Sequence, residues 1–390
     1  MITDKETNHI YFSQLIKEKE EYIPFWERLN PILIKNNISY SFIKNTRDIW
    51  CRDYMPLQIK EEEFVEFTYF PNYYLEPKYI AKLTIQEDVR IYDDINKTKS
   101  QLIIDGGNII KSKTKAILTD RVFKDNADLM KKTIITELIK ELKVQEVHII
   151  PSLPYDITGH ADGMLRFLDE NTLLVADYSI ESLTYQKKMK KALDKTGLQI
   201  IEFPYVHLNE KNKDGDAVAK GVYINFARVG DIVLFPQFHL EEDKMALSKA
   251  REIFYDCQVI PINCNEIAED GGVLNCVTWN IKTSMKASLL SVIPSVPNFD
   301  DQEIYVYERL DHYISIFDYD FIASAFTEAW DALSGQLVGD GDFKYFVYRS
   351  LENSLPTTRP IPQDIVDEVV DLILDYLSSI GQWRMDLSEN

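Results

Sequence analysis

The sequence has 390 residues, of which 45% are hydrophobic and 12% aromatic, enough for a large core and more than one domain. Its formal net charge of −20 argues against a nucleic-acid-binding protein, because phosphates bind to basic surfaces, and suits a cationic substrate or partner. The first residues lack the charge and apolar pattern of a secretory signal, and no run of eighteen apolar residues occurs, so we expect a cytoplasmic protein without a membrane span.

A unit of two strands, a helix and a further strand recurs along the chain with a period of about 58 residues. In chain order, the predicted hairpins turn near Glu62, Thr114, Glu170 and Gly230. The last three are followed by a predicted helix and strand: 128–143 and 146–152, 182–197 and 198–206, and 241–257 and 258–263. A fifth, weaker hairpin is predicted in "VLNCVTWNIKTSMKASLL", and we expect the amino-terminal segment 13–43 to complete its unit and close a ring.

Sequential copies of one ββαβ unit cannot bury their faces alone, so they predict a closed radial array. We therefore expect residues 1–290 to form a five-bladed α/β propeller that carries the functional site. A boundary is predicted near Pro294–Pro297, because residues 298–390 carry 19 acidic against 5 basic side chains. Apolar spacing in 320–336 and 362–383 predicts a small, acidic, all-helical domain, which packs on the propeller, forms a homo-oligomer or docks a protein partner.

Polar side chains precede the predicted turns at similar distances, so a radial array brings them to one pocket. They are Asp53, Asp105, His160 with Asp162, and Cys276. The chain has no G-x-S-x-G motif and no second histidine at zinc-ligand spacing from His160, so we expect neither a serine hydrolase nor a metal site. A cysteine nucleophile with a histidine acid–base remains. Nearby carboxylates raise the pKa of a thiol and so disfavour the thiolate, unless the substrate itself brings positive charge. A guanidinium does so, because it is planar, always protonated and able to donate hydrogen bonds to carboxylates.

Six motifs in order carry a resemblance to the guanidino-group-modifying enzymes. They are "WCRD" (50–53), "DGGN" (105–108), "LTD" (118–120), "GHADG" (159–163), "YINFARVGDIVLFPQF" (223–238) and "GGVLNC" (271–276). Within that superfamily, residues 20–285 most resemble the agmatine deiminase and bacterial peptidylarginine deiminase family. The resemblance implies the pentein fold, which is a five-bladed α/β propeller, and a deiminase that needs neither metal nor organic cofactor.

The resemblance also implies a role for each matching residue. Cys276 matches the nucleophile that attacks the guanidinium carbon, and His160 matches the general acid–base. Asp53 and Asp162 match the carboxylates that clamp the guanidinium nitrogens. Asp120 matches an acidic residue that orients the histidine, and Trp50 matches an aromatic wall against the substrate. We interpret Asp105, which precedes two glycines, as a turn former and leave it out of the catalytic set. Cys51, Cys257 and Cys264 are interpreted as structural thiols.

Two departures from the agmatine-specific pattern leave the substrate open among agmatine, arginine and peptidyl-arginine. Asn275 precedes the nucleophile, and Asp120 stands where agmatine deiminases often have glutamate. Two alternative functions also stay open. The first is an amidinotransferase, in which an amine resolves the same covalent intermediate. The second is a guanidinium-binding or adaptor protein that acts through its acidic helices.

Overall fold

The computed structural model describes residues 1–283 except 76, 92–94 and 214, and further residues at 291–292, 322–330 (except 324 and 328), 337–338, 347 and 363–379. The chain divides into two compact units, Met1–Thr283 and Ser284–Asn390. Within the described residues, no helix has the length and apolar character needed to cross a membrane.

The first unit contains fifteen strands and nine α-helices among its described residues. The strands are β1 (His9–Ser13), β2 (Ser39–Ile43), β3 (Leu57–Lys60), β4 (Glu63–Thr68), β5 (Lys97–Ile103), β6 (Ile110–Lys111), β7 (Lys115–Thr119), β8 (Glu146–Ile150), β9 (Leu165–Phe167), β10 (Thr172–Ala176), β11 (Gln199–Phe203), β12 (Ala227–Val229), β13 (Ile232–Gln237), β14 (Gln258–Asn263) and β15 (Trp279–Ile281). The helices are α1 (Leu15–Glu18), α2 (Ile23–Lys35), α3 (Cys51–Tyr54), α4 (Pro77–Ile80), α5 (Arg121–Asp125), α6 (Lys131–Leu142), α7 (Leu183–Asp194), α8 (Asp243–Ile253) and α9 (Asn265–Glu269).

These strands form five three-stranded sheets with one common topology. The strand orders are β15-β1-β2, β3-β4-β5, β6-β7-β8, β9-β10-β11 and β12-β13-β14. In each sheet the central strand is antiparallel to the first strand and parallel to the third. The four hairpins predicted near Glu62, Thr114, Glu170 and Gly230 are confirmed, and each is followed by a helical connection to the third strand.

The central strands lie in the core because both of their faces are covered. β10 is buried at all five positions, and β7 is buried at four of five. Their sequences are therefore continuous apolar runs rather than alternating ones, as in other strands that are covered on both faces. The crossover helices bury one stripe: α6 buries Ile134, Leu138 and Leu142, which lie four residues apart on one face.

The fifth sheet differs from the sequence-based prediction in its central strand. We expected the residues after β15 to form the second half of the hairpin. Instead, the amino-terminal strand β1 pairs antiparallel with β15, with His9 opposite Ile281, and parallel with β2. β1 has five consecutive buried residues, which matches a central strand, whereas residues 284–290 lie outside the described part of the chain. The amino-terminal segment thus completes the fifth unit with two strands and not one.

The second unit is described at a few positions. A two-residue strand, Ser291–Val292, pairs antiparallel with Leu337–Val338, a pairing that the all-helical prediction did not include. Helix α10 (Gln363–Ser379) agrees with the helix predicted in 362–383. It buries side chains at helical spacing: Val366, Val369, Val370, Ile373, Leu374 and Leu377. Residues 322–323, 325–327 and 329–330 are also helical, and the rest of the predicted helix 320–336 lies outside the described residues.

The position of β1 predicts a specific loss of stability. Ile10 lies in β1 and is 0% exposed, so we expect Ile10→Ala to lower the free energy of unfolding by about 2–5 kcal/mol. Ile180→Ala is the matched control, because Ile180 is 58% exposed, and it should change stability by less than about 0.5 kcal/mol. Equilibrium urea unfolding measures both. Equal effects of the two substitutions would show that β1 is not a core strand.

Candidate active site

A cavity of about 260 Å³ in the first unit collects most of the predicted site residues. Its walls include Trp50, Asp53, His160, Asp162 and Cys276. Asp120 is not among the lining residues. The structure therefore brings five of the six residues predicted for the site to one cavity.

The cavity is built from the segments that lead into the first strand of each sheet. Four of these segments line the cavity with a polar side chain, Asp53 before β3, Asp162 before β9, Asn225 before β12 and Cys276 before β15, and the fifth places Asp105, before β6, against His160. Because all five sheets share one topology, equivalent positions of their first strands converge. The repeat thus places chemically useful side chains together although they lie far apart in the sequence.

Gly107 joins two of these segments through its backbone. Its N–H donates to Asp53 Oδ1 at 2.9 Å, and its carbonyl accepts the N–H of Asp162 at 3.1 Å. A Cβ at this position would lie 2.7 Å from both Asp53 Oδ1 and His160 Nδ1. Glycine is therefore required here, because a larger residue would push the carboxylate and the imidazole apart.

His160 lies between two carboxylates. Its Nε2 is 2.9 Å from Asp105 Oδ2, and its Nδ1 is 3.6 Å from Asp53 Oδ1. Burial alone would lower the pKa of His160, but Asp53, Asp105 and Asp162 together raise it well above its usual range. Burial raises the pKa of Asp53, opposed by the charge of His160 and reinforced by the other two carboxylates. The histidine is therefore an imidazolium in the free protein at neutral pH.

The carboxylate that contacts the outer ring nitrogen of His160 is Asp105 and not Asp120. Asp120 Oδ1 instead accepts hydrogen bonds from the backbone N–H of Ser152 at 3.1 Å and from its hydroxyl at 2.9 Å. Among the described residues, no hydrogen bond joins Asp120 to His160, so the orienting role that the resemblance implies for Asp120 stays a prediction without a direct contact behind it. Asp120 follows the second strand of its hairpin, one strand removed from the cavity, whereas Asp105 precedes the first strand. Asp105 also accepts a hydrogen bond from the Tyr73 hydroxyl at 3.0 Å, which holds it in place.

Cys276 lies opposite two acceptors. Its Sγ is 3.6 Å from Asp162 Oδ2 and 3.4 Å from Asn225 Oδ1. Burial, and after it the charges of Asp162 and Asp53, raise the pKa of the Cys276 thiol well above its usual value. In the free protein the thiol is protonated at neutral pH, and a positive charge in the cavity would favour the thiolate.

Asn225 is a site residue that the sequence analysis did not identify. Besides the contact with Cys276, its side-chain oxygen accepts a hydrogen bond from the backbone N–H of Asn275 at 3.1 Å. The side-chain amide of Asn275 in turn donates to Asp162 Oδ2 at 2.7 Å. Asn225 comes five residues before the turn at Gly230, in the one unit for which no candidate was found. The repeat was the signal that could have revealed it.

Trp50 forms an aromatic part of the cavity wall. Its backbone N–H donates to Asp48 Oδ1 at 2.8 Å, which fixes the start of α3. A Cβ at Gly272 would lie 2.3 Å from Trp50 Cζ3, so the indole packs directly on the glycine backbone. In the described part of the chain, no three His, Cys, Asp or Glu side chains form a group that could hold a metal ion.

A sequence model of the Porphyromonas-type peptidyl-arginine deiminase family matches residues 3–281. The chain belongs to this family. Among curated relatives, an agmatine deiminase homologue of Enterococcus faecalis is 25% identical over 183 residues, which is 39% of this chain and 49% of the relative. A homologue of Shewanella frigidimarina is 23% identical over 215 residues, or 48% of this chain and 58% of the relative. The chain thus matches about half the length of these family members.

Solved structures of family members share the fold of this chain. The agmatine deiminase of C. jejuni superposes with a TM-score of 0.59 at 17% identity, covering 73% of this chain and 96% of that protein. The agmatine deiminase of Enterococcus faecalis superposes with a TM-score of 0.55 at 17% identity, covering 72% of this chain and 94% of that protein. About a quarter of this chain has no counterpart in these structures.

The contact with Asp105 predicts how the histidine titrates. Asp105→Asn should lower the pKa of His160 by about 1–3 units, because it removes one of the charges that stabilise the imidazolium. Asp120→Asn is the matched control and should leave that pKa unchanged, because Asp120 contacts Ser152. NMR titration of the histidine ring in the full-length protein measures both. A larger shift from the Asp120 variant would contradict the geometry.

Proposed function

We propose that this protein is a cysteine-dependent deiminase that hydrolyses a guanidino group to a ureido group and ammonia. We also propose that its five sheets are the blades of an α/β propeller with the cavity at one end of the central axis. The observation that carries the function is the meeting of the Cys276 thiol, the His160 imidazolium and the carboxylates of Asp53 and Asp162 in one cavity.

The charges of this cavity favour a cationic substrate. Asp53, Asp105 and Asp162 are 8%, 6% and 2% exposed, and His160 supplies one balancing positive charge. A buried excess of negative charge is unfavourable until a cation enters. A guanidinium is planar and always protonated, and its N–H groups can donate to two carboxylates at once. Asp53 and Asp162 are the carboxylates that we assign to this clamp. We assign the Trp50 indole to the wall that packs against the rest of the substrate.

In the proposed first step, the substrate cation lowers the pKa of Cys276, and the thiol loses its proton to solvent. The thiolate forms an S–C bond with the guanidinium carbon, and one C=N electron pair moves to nitrogen. The His160 imidazolium then donates its proton to one amino group of the tetrahedral intermediate. The C–N bond breaks, ammonia leaves, and a covalent thiouronium remains on Cys276.

In the second step, the neutral His160 removes a proton from water, and the hydroxide forms a C–O bond with the thiouronium carbon. The C–S bond breaks, and the oxygen gives up its proton as the thiolate becomes a thiol again. The ureido product leaves, and His160 is once more protonated. The positions of Asp53 and Asp105 against the two ring nitrogens suit this exchange, because they stabilise the imidazolium that is present before the first proton transfer and forms again after the second.

Similarity to agmatine deiminases supports this proposal. One solved relative is a cysteine-to-serine variant of the C. jejuni enzyme with substrate bound. The substrate of the present protein is a guanidino compound of the agmatine, arginine or peptidyl-arginine type. The outer cavity wall carries carboxylates, such as Asp156 and Asp216, together with cations, such as Lys19 and Arg47, so it does not select among the three by charge.

An activity assay tests the function and separates it from its alternatives. The full-length protein is incubated with agmatine, arginine and an arginyl peptide, and both ammonia and ureido product are measured. Equal amounts of the two support hydrolysis. Guanidine consumption without ammonia, dependent on an added amine, supports an amidinotransferase. Binding without either product supports the adaptor function.

Cys276→Ala should reduce turnover of the best substrate by at least about a thousandfold, because no other group replaces the nucleophile. The carboxylates of the clamp remain, so the substrate should still raise the melting temperature of the variant. Cys257→Ala is the control and should keep full activity, because Cys257 is outside the cavity walls. Product formation by Cys276→Ala within tenfold of the parent would show that the nucleophile is another residue.

Asp162→Asn should have opposite effects on catalysis and on thiol reactivity. Loss of one clamp charge should remove roughly 2–5 kcal/mol of transition-state stabilisation and so lower kcat/KM. The same change removes a negative charge 3.6 Å from Sγ, so the pKa of Cys276 should fall and alkylation by iodoacetamide at pH 7–8 should become faster. Asp120→Asn should change neither rate. Slower alkylation of the Asp162 variant would contradict the proposed electrostatics.

A further inference from the structure

A second cavity of about 410 Å³ lies in the first unit and shares none of its lining residues with the catalytic cavity. Four buried or half-buried cations line it: Arg52, Lys111, Arg166 and Arg228. In a protein with a net charge of −20, such a concentration of positive side chains needs an explanation.

Three of the cations lie in strands that directly follow polar residues of the catalytic site. Lys111 lies at the end of β6, Arg166 in the middle of β9 and Arg228 in the middle of β12. They follow Asp105, Asp162 and Asn225 by six, four and three residues. The catalytic and acidic groups thus lie in the segments that lead into these strands, and the basic groups lie within the strands.

Carboxylates neutralise these cations incompletely. Asp4 contacts Arg166, and its other oxygen accepts from Asn280 at 3.3 Å. Arg52 donates to Asn275 O at 3.2 Å and to Asn280 Oδ1 at 2.6 Å, which are both neutral acceptors.

Arg228 likewise donates to the carbonyl of Gly230 at 2.9 Å, and its Nη2 is 3.4 Å from Cys257 Sγ. Among the described residues, no carboxylate lies within salt-bridge distance of Lys111. The other lysines of this cavity are paired at its edge: Lys5 with Asp256 at 3.6 Å, and Lys113 with Glu6 at 3.3 Å. Three cations of the cavity therefore lack an ion-pair partner in the described part of the chain.

The surroundings of Lys111 disfavour its positive charge. Burial is the largest cause that lowers the pKa of its ammonium, to about 8; the charges of Arg52 and Arg166 contribute, and Asp4 and Glu6 oppose the shift. Aromatic faces hold two of the guanidinium groups in place: Arg166 lies 4.7 Å from the ring centroid of Phe226, and Arg228 lies 5.7 Å from that of Phe254. The cations are thus fixed by side chains that do not cancel their charge.

We propose that this cavity binds an oxyanion of the phosphate class, either inorganic phosphate or the phosphoryl group of a small metabolite. Arginine forks and a lysine ammonium are the groups that bind phosphate oxygens most effectively, and here they are already positioned and largely desolvated. The cavity walls carry six cations against four carboxylates, Asp4, Asp169, Glu170 and Asp256, and a doubly charged anion would balance this excess.

The proposed site lies directly behind the catalytic wall. The backbone N–H of Arg52 donates to the carbonyl of Cys276 at 3.2 Å, and its side chain donates to the carbonyl of Asn275. Asp53 follows Arg52 in the chain. An anion bound to Arg52 therefore contacts a residue that is connected through hydrogen bonds to the nucleophile and through the backbone to the clamp.

Isothermal titration calorimetry of the full-length protein tests this proposal. Inorganic phosphate, pyrophosphate and glycerol 3-phosphate are compared with sodium chloride at matched ionic strength. We expect saturable binding of at least one phosphate compound, and the comparison of the first two with the third distinguishes an inorganic from an organic ligand. Lys111→Met should weaken this binding at least tenfold, and Lys111→Arg, which keeps the charge, should retain it.

Lys140→Met is the matched control, because it changes the net charge equally at an exposed helix position where Lys140 pairs with Glu137. It should bind phosphate as the parent does. If Lys111→Met does not fold, Arg228→Gln provides the same test and should also weaken binding at least tenfold. Binding no stronger than that of chloride would overturn the proposal and make the cluster a structural one. Undiminished binding by both variants would overturn it as well, because the anion would then bind elsewhere.

Discussion

The burial of three carboxylates around one imidazole is the constraint on which the site depends. Asp53, Asp105 and Asp162 come from three different segments, and bringing them together in a space of low polarity costs free energy that His160 offsets only in part. Two properties follow directly. The histidine stays charged, and the neighbouring thiol of Cys276 stays protonated until a cation arrives. The charges of the site therefore favour a cation over a neutral molecule.

The regular secondary structure could be predicted from the sequence because the crossover helices show a clear apolar period. Strands β7, β10 and β13 are uninterrupted apolar runs between polar turns, and α6 and α7 each bury every fourth residue. Convergence of the site residues could also be predicted, since it follows from the repeat. The pairing of β15 with β1 could not be predicted from the sequence, because the apolar pattern of a strand shows that the strand is buried and does not identify its partner.

Two site residues show why local patterns mislead about function. Asp105 does begin a 3-10 turn at Gly106–Asn108, as its neighbouring glycines indicate, yet the same side chain contacts His160. A turn former and a histidine partner have the same sequence signature here, so only the spatial contact separates them. Asn225 carries no charge, and the motif 223–238 in which it lies does not single it out as a site residue. Its place before the first strand of the fourth repeat is the feature that distinguishes it from other asparagines.

The pairing of β1 with β15 also has a consequence for biosynthesis. β1 leaves the ribosome before the other strands of the first unit, while β15, its antiparallel partner, follows almost at the end of that unit. During translation the five buried residues of β1 can pair early with β2, but one edge of that pair stays open until β15 has been made. Such long-range pairing slows folding and exposes a strand edge to aggregation. The nascent chain is therefore most exposed to aggregation before β15 emerges.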